Sequence, residues 1–409
     1  MKSNYKTLGN FIRKVNTKNT DGSIKNLLGV NLSKKLMPSV AKTNGVDLTK
    51  YKVLSKNQFA CKFMSVGRDE MLPIGFYQED YKSIVSSAYY VFESKDENIL
   101  YSQYLMMWLS RSENDRLLWF KSGADVRGSI SWADFCEIEI PIPTIEKQRE
   151  IVHEYNIVNN RILLNERLIH KLEDTAQSIY KHWFVDFEFP ISKEYAEFIG
   201  KPELEGKPYR SSGGEIKNYG EIEEQIPLNW NLTALSSQAE VIMGQSPSGE
   251  HLSTIASGTV FYQGRTDFNF RFPSERIYTS LVKRLAQPKD VLMSVRAPVG
   301  DVNIASEKCA IGRGIAAIRD KCGVNSFIYY SLQNLSSMFN ITDGEGTIFG
   351  SIKKDELNEL NVIYPDMNTK EEFNNRVGRI DDMIEVIEKE LICLRSLRTL
   401  INSKMTRLS

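Results

Sequence analysis

From Ile151 onward, apolar positions recur in alternating steps of four and three: Ile151, Tyr155, Val158, Ile162, Asn165, Ile169, Leu172, Ala176, Ile179 and Trp183. That spacing is the seam of a coiled coil, interrupted once by the polar Asn165. The same register returns 222 residues later (373 − 151 = 222) as Phe373, Val377, Ile380, Ile384, Ile387, Leu391, Leu394, Arg398, Ile401 and Met405. Each stripe predicts a helix of roughly 35–40 residues, about 50–60 Å long. Neither helix can bury its stripe alone, so the two are expected to pack on each other as a paired spacer. Asn165 could set the register as a buried polar residue or face solvent where the helices splay, and Arg398 could run its stem along the apolar surface.

The offset extends upstream of the helices. Gly128-Ser129-Ile130, Phe135, Ile138, Ile140 and Pro143 return as Gly350-Ser351-Ile352, Leu357, Leu360, Val362 and Pro365. A period this long is not a solenoid; it predicts two domain-plus-helix units in tandem, with approximate twofold symmetry. Short apolar runs such as Tyr51 to Leu54 and Ile84 to Phe92 predict strands, and Leu100 to Ser110 predicts a helix. Pro141-Ile142-Pro143 is a breaker cluster, and Thr144 is placed to cap the helix that follows. The glycines, prolines and serines between Pro190 and Ile226 predict a linker. The expected organisation is a mixed α/β domain over 1–143, a central helix over 144–189, a linker over 190–225, a second mixed domain over 226–365 and a C-terminal helix over 366–409. The fold class is α+β, with the two helices packed as an antiparallel coiled-coil spacer of pseudo-twofold symmetry.

Composition narrows the class. The 409 residues leave room for two or three cores, and 41% hydrophobic with 25% charged content is ordinary for a globular protein. No run of apolar residues long enough to span a bilayer occurs, so no membrane role is expected. Five scattered cysteines without a CxxC pair fit a reduced, cytoplasmic chain. Formal net charge is zero, yet residues 1–140 hold about 20 Lys and Arg against about 15 Asp and Glu, while residues 215–365 hold about 14 against about 17. A nucleic-acid role for the second domain therefore has to use local basic loops.

Several segments, in order and twice over, resemble the specificity (S) subunits of type I restriction–modification systems. Ile226-Pro227-Leu228-Asn229-Trp230 with Gly244-Gln245-Ser246-Pro247 is similar to that family's domain start. Asp290-Val291-Leu292-Met293-Ser294-Val295-Arg296-Ala297-Pro298-Val299-Gly300, then Ala310-Ile311-Gly312-Arg313-Gly314, then Gly346-Thr347-Ile348-Phe349-Gly350-Ser351-Ile352 follow. Ile140-Pro141-Ile142-Pro143 with Gln148 and Ile151-Val152 resembles its approach to the first long helix. Tyr364-Pro365-Asp366 departs from that pattern at the second helix. The resemblance implies two target recognition domains, each reading half of a bipartite double-stranded DNA site, with the helices as a ruler for the unread gap. It also implies docking of two adenine-methylating modification subunits and, through them, restriction subunits. S-adenosylmethionine, ATP and magnesium would bind those partners, and this chain would hold no cofactor, no metal and no catalytic residue.

The residues agree with that division of labour. There is no GxxxxGK[ST] loop, no Asn-Pro dipeptide for an adenine-methyltransferase tetrapeptide, and no ligand spacing among His153, His170, His182 and His251. Asp366 with Glu371 is the nearest approach to a nuclease carboxylate pair, at the start of a helix. For readout of DNA the useful groups are Arg, Lys, Asn and Gln toward bases and small polar groups toward phosphates. Tyr262, Gln263 and Arg265 in Phe261 to Asp267, Gln245 and Ser246 after Gly244, and Arg296 and Arg313 beside turns are the candidates in the second domain. Lys62, Arg68, Lys82 and Arg127 are those of the first, Arg127 within the small, polar Gly123 to Ser131. The outer helix faces and the Trp183-Phe184 region are candidate partner surfaces. Two other classes remain open at this level: a two-headed coiled-coil scaffold without DNA specificity, and an enzyme with an unrecognised site.

Overall fold

The computed structural model describes residues 5–40, 45–123, 128–218, 225–342 and 350–407. The chain divides into two compact units, Met1–Asn165 with Glu390–Ser409 and Glu166–Lys389. The first long helix runs Ile145–Phe184 and the second Met367–Arg407, so each helix contributes one part to each unit.

In the first unit one four-stranded sheet is ordered Ile12–Val15, Tyr90–Ser94, Gln58–Cys61, Ile74–Phe76, all antiparallel. A second is ordered Leu36–Pro38, Leu27–Val30, Ser83–Val85, Lys52–Leu54, with its central pair parallel. The run from Ile84 to Phe92 is thus two strands, in different sheets, separated by a turn. Gln58–Cys61 is buried at every position because both faces of that sheet are covered. Phe59 and Phe92 stack in its core with centroids 4.7 Å apart. Tyr5–Thr7 pairs with Glu139–Pro141 and brings the two ends of the domain to the base of the first long helix.

The second unit repeats this wiring. Its four-stranded sheet is ordered Ala239–Met243, Ile315–Asp320, Val291–Ser294, Val302–Ile304. Its other sheet again has a parallel central pair, Thr259–Tyr262 with Cys309–Ile311, flanked by Tyr278–Thr279 and Leu285–Ala286, and gains the short Leu252–Ser253 at one edge. Asn231–Ala234 closes the domain against Asn361–Tyr364, as Tyr5–Thr7 does in the first.

Both long helices start on a side-chain cap. Thr144 Oγ1 accepts from the Lys147 N–H at 3.4 Å, and Asp366 Oδ1 accepts from the Thr369 N–H at 2.9 Å. The helices are antiparallel within each unit. In the first, Glu154 pairs with Lys404 at 2.6 Å and Arg161 with Glu390 at 2.8 Å. In the second, Tyr180 and Trp183 meet Phe373 with centroids 6.0 and 5.8 Å apart. Ile151, Val158, Ile162, Ile169, Phe373, Val377, Ile384, Ile387 and Leu391 are buried, and Tyr155, Leu172, Ile380 and Leu394 are half-buried. Asn165 is buried in the seam rather than turned to solvent, and Arg398 is half-buried with Nη1 donating to Asn159 at 3.2 Å.

Two expectations are corrected here. The first long helix stops at Phe184, short of residue 189, because Phe187 adopts a left-handed conformation (φ 60°) that turns the chain back. The stretch expected as a linker is in large part docked structure. Ser192 caps the helix Lys193–Phe198, and Phe189 stacks on both Tyr209 and Trp230 with centroids 4.6 Å apart. The reason is aromatic content: Phe187, Phe189 and Tyr209 bury against Trp230, outweighing the loop-forming glycines around them. Residues 219–224 lie outside the described structure.

Candidate nucleic-acid interface

In the second unit three strands end side by side, and the turns that follow them are fastened backbone to backbone. Gln245 N–H donates to Ile311 C=O at 2.9 Å, Gly312 N–H to Tyr262 C=O at 2.8 Å, and Gly314 N–H to Gln263 C=O at 3.1 Å. Val295 N–H, next to Arg296, donates to Gly314 C=O at 2.9 Å. Only glycine fits at the contact points. A Cβ on Gly244 would lie 2.2 Å from Gly312 O, and one on Gly314 would lie 2.6 Å from Gln263 O. The Gln245, Gln263, Arg296 and Arg313 turns are thereby brought together.

The side chains on these turns divide by exposure. Gln245, Gln263, Arg265, Arg296 and Arg313 are exposed. Asp267 is buried and shapes their loop: its Oδ2 accepts from the Gln263 N–H at 2.7 Å and the Gly264 N–H at 3.2 Å, while Arg276 Nε donates to Oδ1 at 3.1 Å. With its backbone held, the loop can present Gln263 and Arg265 outward. Arg265 Nε also donates to Asp301 Oδ2 at 2.5 Å, so its charge is part-balanced, whereas Arg296 and Arg313 have no ion pair among the described residues. Two candidates are corrected in role. Ser246 Oγ accepts from the Arg313 N–H at 3.2 Å and serves the turn itself. Tyr262 is buried with Phe268 and Ile311, where burial pushes its phenol well above the usual tyrosine range, so its ring belongs to the core.

The first unit distributes its basic residues differently from the sequence-based choice. Lys62 is half-buried at the start of a tight turn, Lys82 is exposed, and Arg68 is tied to its neighbour Asp69 through Nε at 2.7 Å and Nη2 at 2.9 Å. No hydrogen bond or ion pair links these three among the described residues. Arg127 lies outside the described residues. A different group does come together. Lys14 Nζ sits 4.5 Å and Lys52 Nζ 5.5 Å from the centroid of the Tyr90 ring, and Trp132 lies parallel to that ring at 6.2 Å. Lys18 is bridged to Lys52 through the backbone. Burial, and after it the neighbouring Lys14 and Lys18, hold the Lys52 ammonium below the usual lysine value. Cations crowded around an aromatic face are a setting for phosphates and stacked bases. No local sequence signal joins Lys14 to Lys52, because the contact depends on long-range strand pairing.

Two other expectations change. Trp183 and Phe184 are buried among Phe327, Trp230 and Phe373, since both rings turn into the domain core, and are not a free partner surface. Asp366 accepts from Trp230 Nε1 at 3.1 Å in addition to capping its helix, which occupies it structurally.

This doubled architecture has counterparts among known proteins. The profile of the type I restriction modification DNA specificity domain matches residues 9–174 and, a second time, 227–394. The chain belongs to that family. It carries the specificity domain twice, in tandem. A candidate type I restriction enzyme specificity subunit, MjaX, of Methanocaldococcus jannaschii is 30% identical over 64% of this chain and 57% of its own length. The chain thus spans just over half of that relative. The HindI specificity subunit of Haemophilus influenzae is 22% identical over 77% of this chain and 78% of its own length. The crystal structure of a type I restriction–modification system S subunit from M. genitalium shares the fold, with a TM-score of 0.61 at 12% identity over 98% of this chain and 95% of that one.

Proposed function

We propose that each specificity domain reads one half of a bipartite duplex DNA site and that the paired long helices set the unread gap between the halves. The observation that carries this reading is the repetition of one strand order in both units, with exposed amide and guanidinium side chains on the fastened turns of one and a lysine–aromatic cluster in the other. Gln245, Gln263, Arg265, Arg296 and Arg313 serve as readers or phosphate contacts in the second domain. In the first, Lys14, Lys18 and Lys52 join Lys62, Lys82 and Arg68 as phosphate contacts.

The partners in this reading are two adenine-methylating modification subunits and, through them, restriction subunits. Those partners bind S-adenosylmethionine, ATP and magnesium and carry the catalysis. Outward-facing apolar side chains support docking on the helices. Ile157, Leu164, Ile392 and Leu400 in the first unit, and Met383 and Val386 in the second, are more than half exposed although they stand on helices whose seams are filled.

The test is a genome-wide map of methylated adenines in cells that express this chain with modification subunits. A single bipartite motif that disappears without the chain is the expected result. No new methylation from an assembled complex would overturn the reading.

A further inference from the structure

Arg271 is fully buried, in the loop that begins with Gln263 and Arg265. Its guanidinium is shared between the two long helices. Nη1 donates to Glu173 on the first helix, and Nη2 donates to Asp381 on the second. Its plane lies over the Tyr329 ring, with Cζ 4.4 Å from the centroid. Nη1 also donates to Tyr330 Oη at 2.9 Å, and that hydroxyl donates to Asp381 at 2.9 Å. Neutral donors hold the remaining carboxylate oxygens: Gln177 and Gln333 on Glu173 at 2.9 and 3.2 Å, and Ser326 on Asp381. The loop backbone is secured as well, since Ile304 N–H donates to Arg271 C=O at 2.8 Å. Beside it the Phe270 ring meets His170 of the first helix edge-on, 4.7 Å between centroids.

A cation taken wholly out of water is costly, and an apolar contact of the same size would give comparable stability. What a guanidinium bonded to two helices adds is direction. Hydrogen bonds to both carboxylates hold only over a few tenths of an ångström, whereas apolar surfaces slide. A change of one base pair in the gap moves a half-site by about 3.4 Å along the duplex, far beyond that tolerance. The first domain handles the matching loop differently. Its buried cation, Lys34, pairs with Asp115 at 2.7 Å and with Leu109 C=O at 2.8 Å, all within the domain itself.

We propose that Arg271 is a positioning residue that ties the reading loop of the second domain to both long helices and thereby sets how strictly the gap length is enforced. It touches no DNA; it acts by fixing where Gln263 and Arg265 stand relative to the helices. The proposal depends on the bipartite-site reading given above.

Its test is the same methylated-adenine map with the Arg271→Met, Arg271→Lys and Asp381→Asn chains, each shown by co-purification to assemble with modification subunits. The expected result is unchanged half-sites together with methylation spreading to gaps one base pair longer or shorter, strongest for Arg271→Met. Asp381→Asn keeps shape and a neutral acceptor, so it reads the effect even where Arg271→Met fails to fold. Assembled variants that methylate only the original gap, at whatever level, overturn the positioning role. A native chain that gives no bipartite motif overturns the underlying reading instead, and the two failures are distinguishable.

Discussion

Lys370 occupies in the second unit the position Gln148 holds in the first, 222 residues earlier (370 − 148 = 222), and both are buried in the first turn of a long helix. Their chemistry differs. Gln148 Oε1 accepts from the Tyr101 N–H, and its Nε2 donates to Ile99 C=O and Pro143 C=O, each at 2.9 Å. Lys370 Nζ instead forms a buried ion pair with Asp320 and lies 5.2 Å from the Phe327 centroid. One domain is joined to its helix by hydrogen bonds of a neutral carboxamide, the other by charge.

The two joints are expected to fail by different amounts. Gln148→Ala leaves the Tyr101 N–H and Ile99 C=O without their partner, a cost of about 1–3 kcal/mol. Lys370→Met leaves the Asp320 carboxylate buried without its cation, a cost of about 3–5 kcal/mol. Urea unfolding of each variant checks this; a smaller loss for Lys370→Met than for Gln148→Ala would contradict it.

Gly312→Ala places a methyl group 2.8 Å from the Phe261 ring and 3.0 Å from Ser246 Oγ. The fastened turns must then separate, at a cost of about 1–3 kcal/mol of overpacking. Binding to the half-site of the second domain is expected to be lost, with that of the first retained. Protection of each half-site on a DNA fragment, measured separately, distinguishes this from general unfolding.

Arg313→Ala and Arg265→Ala separate two ways of touching DNA. Removing a side chain that neutralises a phosphate lowers the slope of log affinity against log salt by about one and weakens binding to all sequences alike. Removing one that reads a base edge costs about 1–3 kcal/mol and relaxes preference at a single position. Arg313, without an ion pair among the described residues, is expected to give the first result. Arg265, oriented by Asp301, is expected to give the second. Salt titrations on the native site and on sites changed at single positions check both.

Lys52 makes the stability of the free chain depend on pH in a definite direction. Its folded pKa lies below 10.5, so between the two values the unfolded chain binds more protons, and stability rises with pH across that window. Lys52→Met is expected to remove that rise and to weaken duplex binding at neutral pH. Melting temperatures of both chains from neutral pH to pH 10.5, with a salt titration of binding, test it. Equal pH slopes would exclude this source; Lys34, also depressed by burial, is unchanged in both chains.

Val386→Asp and Ile157→Asp put charge on the outer helix faces without touching the seam. Modification subunits are expected to stop co-purifying with these chains, while the thermal unfolding of each chain alone stays within about 0.5 kcal/mol of the native value. Retained co-purification would move the docking surface elsewhere.

The long helices are the most legible part of the sequence, because their period is local and Phe373 repeats Ile151 after a fixed offset. The loops of the second domain are legible in part: neighbouring glycines mark Gln263 and Arg313, whereas the burial of Tyr262 depends on a sheet packed over it. Lys14, Lys52 and Arg271 carry no local signal. Each acquires its role from strands or helices far away in the chain, and no neighbouring residue in the sequence, apolar as Phe270 and Phe272 are beside Arg271, shows which partners it will meet. The aromatic run from Trp183 to Phe189 misleads for the same reason, since only tertiary packing onto Trp230 makes it core.

The turns that bear Gln245, Gln263 and Arg313 are held by main-chain hydrogen bonds and by glycines that exclude any side chain from the junctions. The exposed side chains contribute little to holding the loops in place. Residues at these positions can therefore be exchanged, alone or together, with little penalty to folding, and under the proposed reading a change in what the loops display would open a new DNA target while their architecture stays as it is.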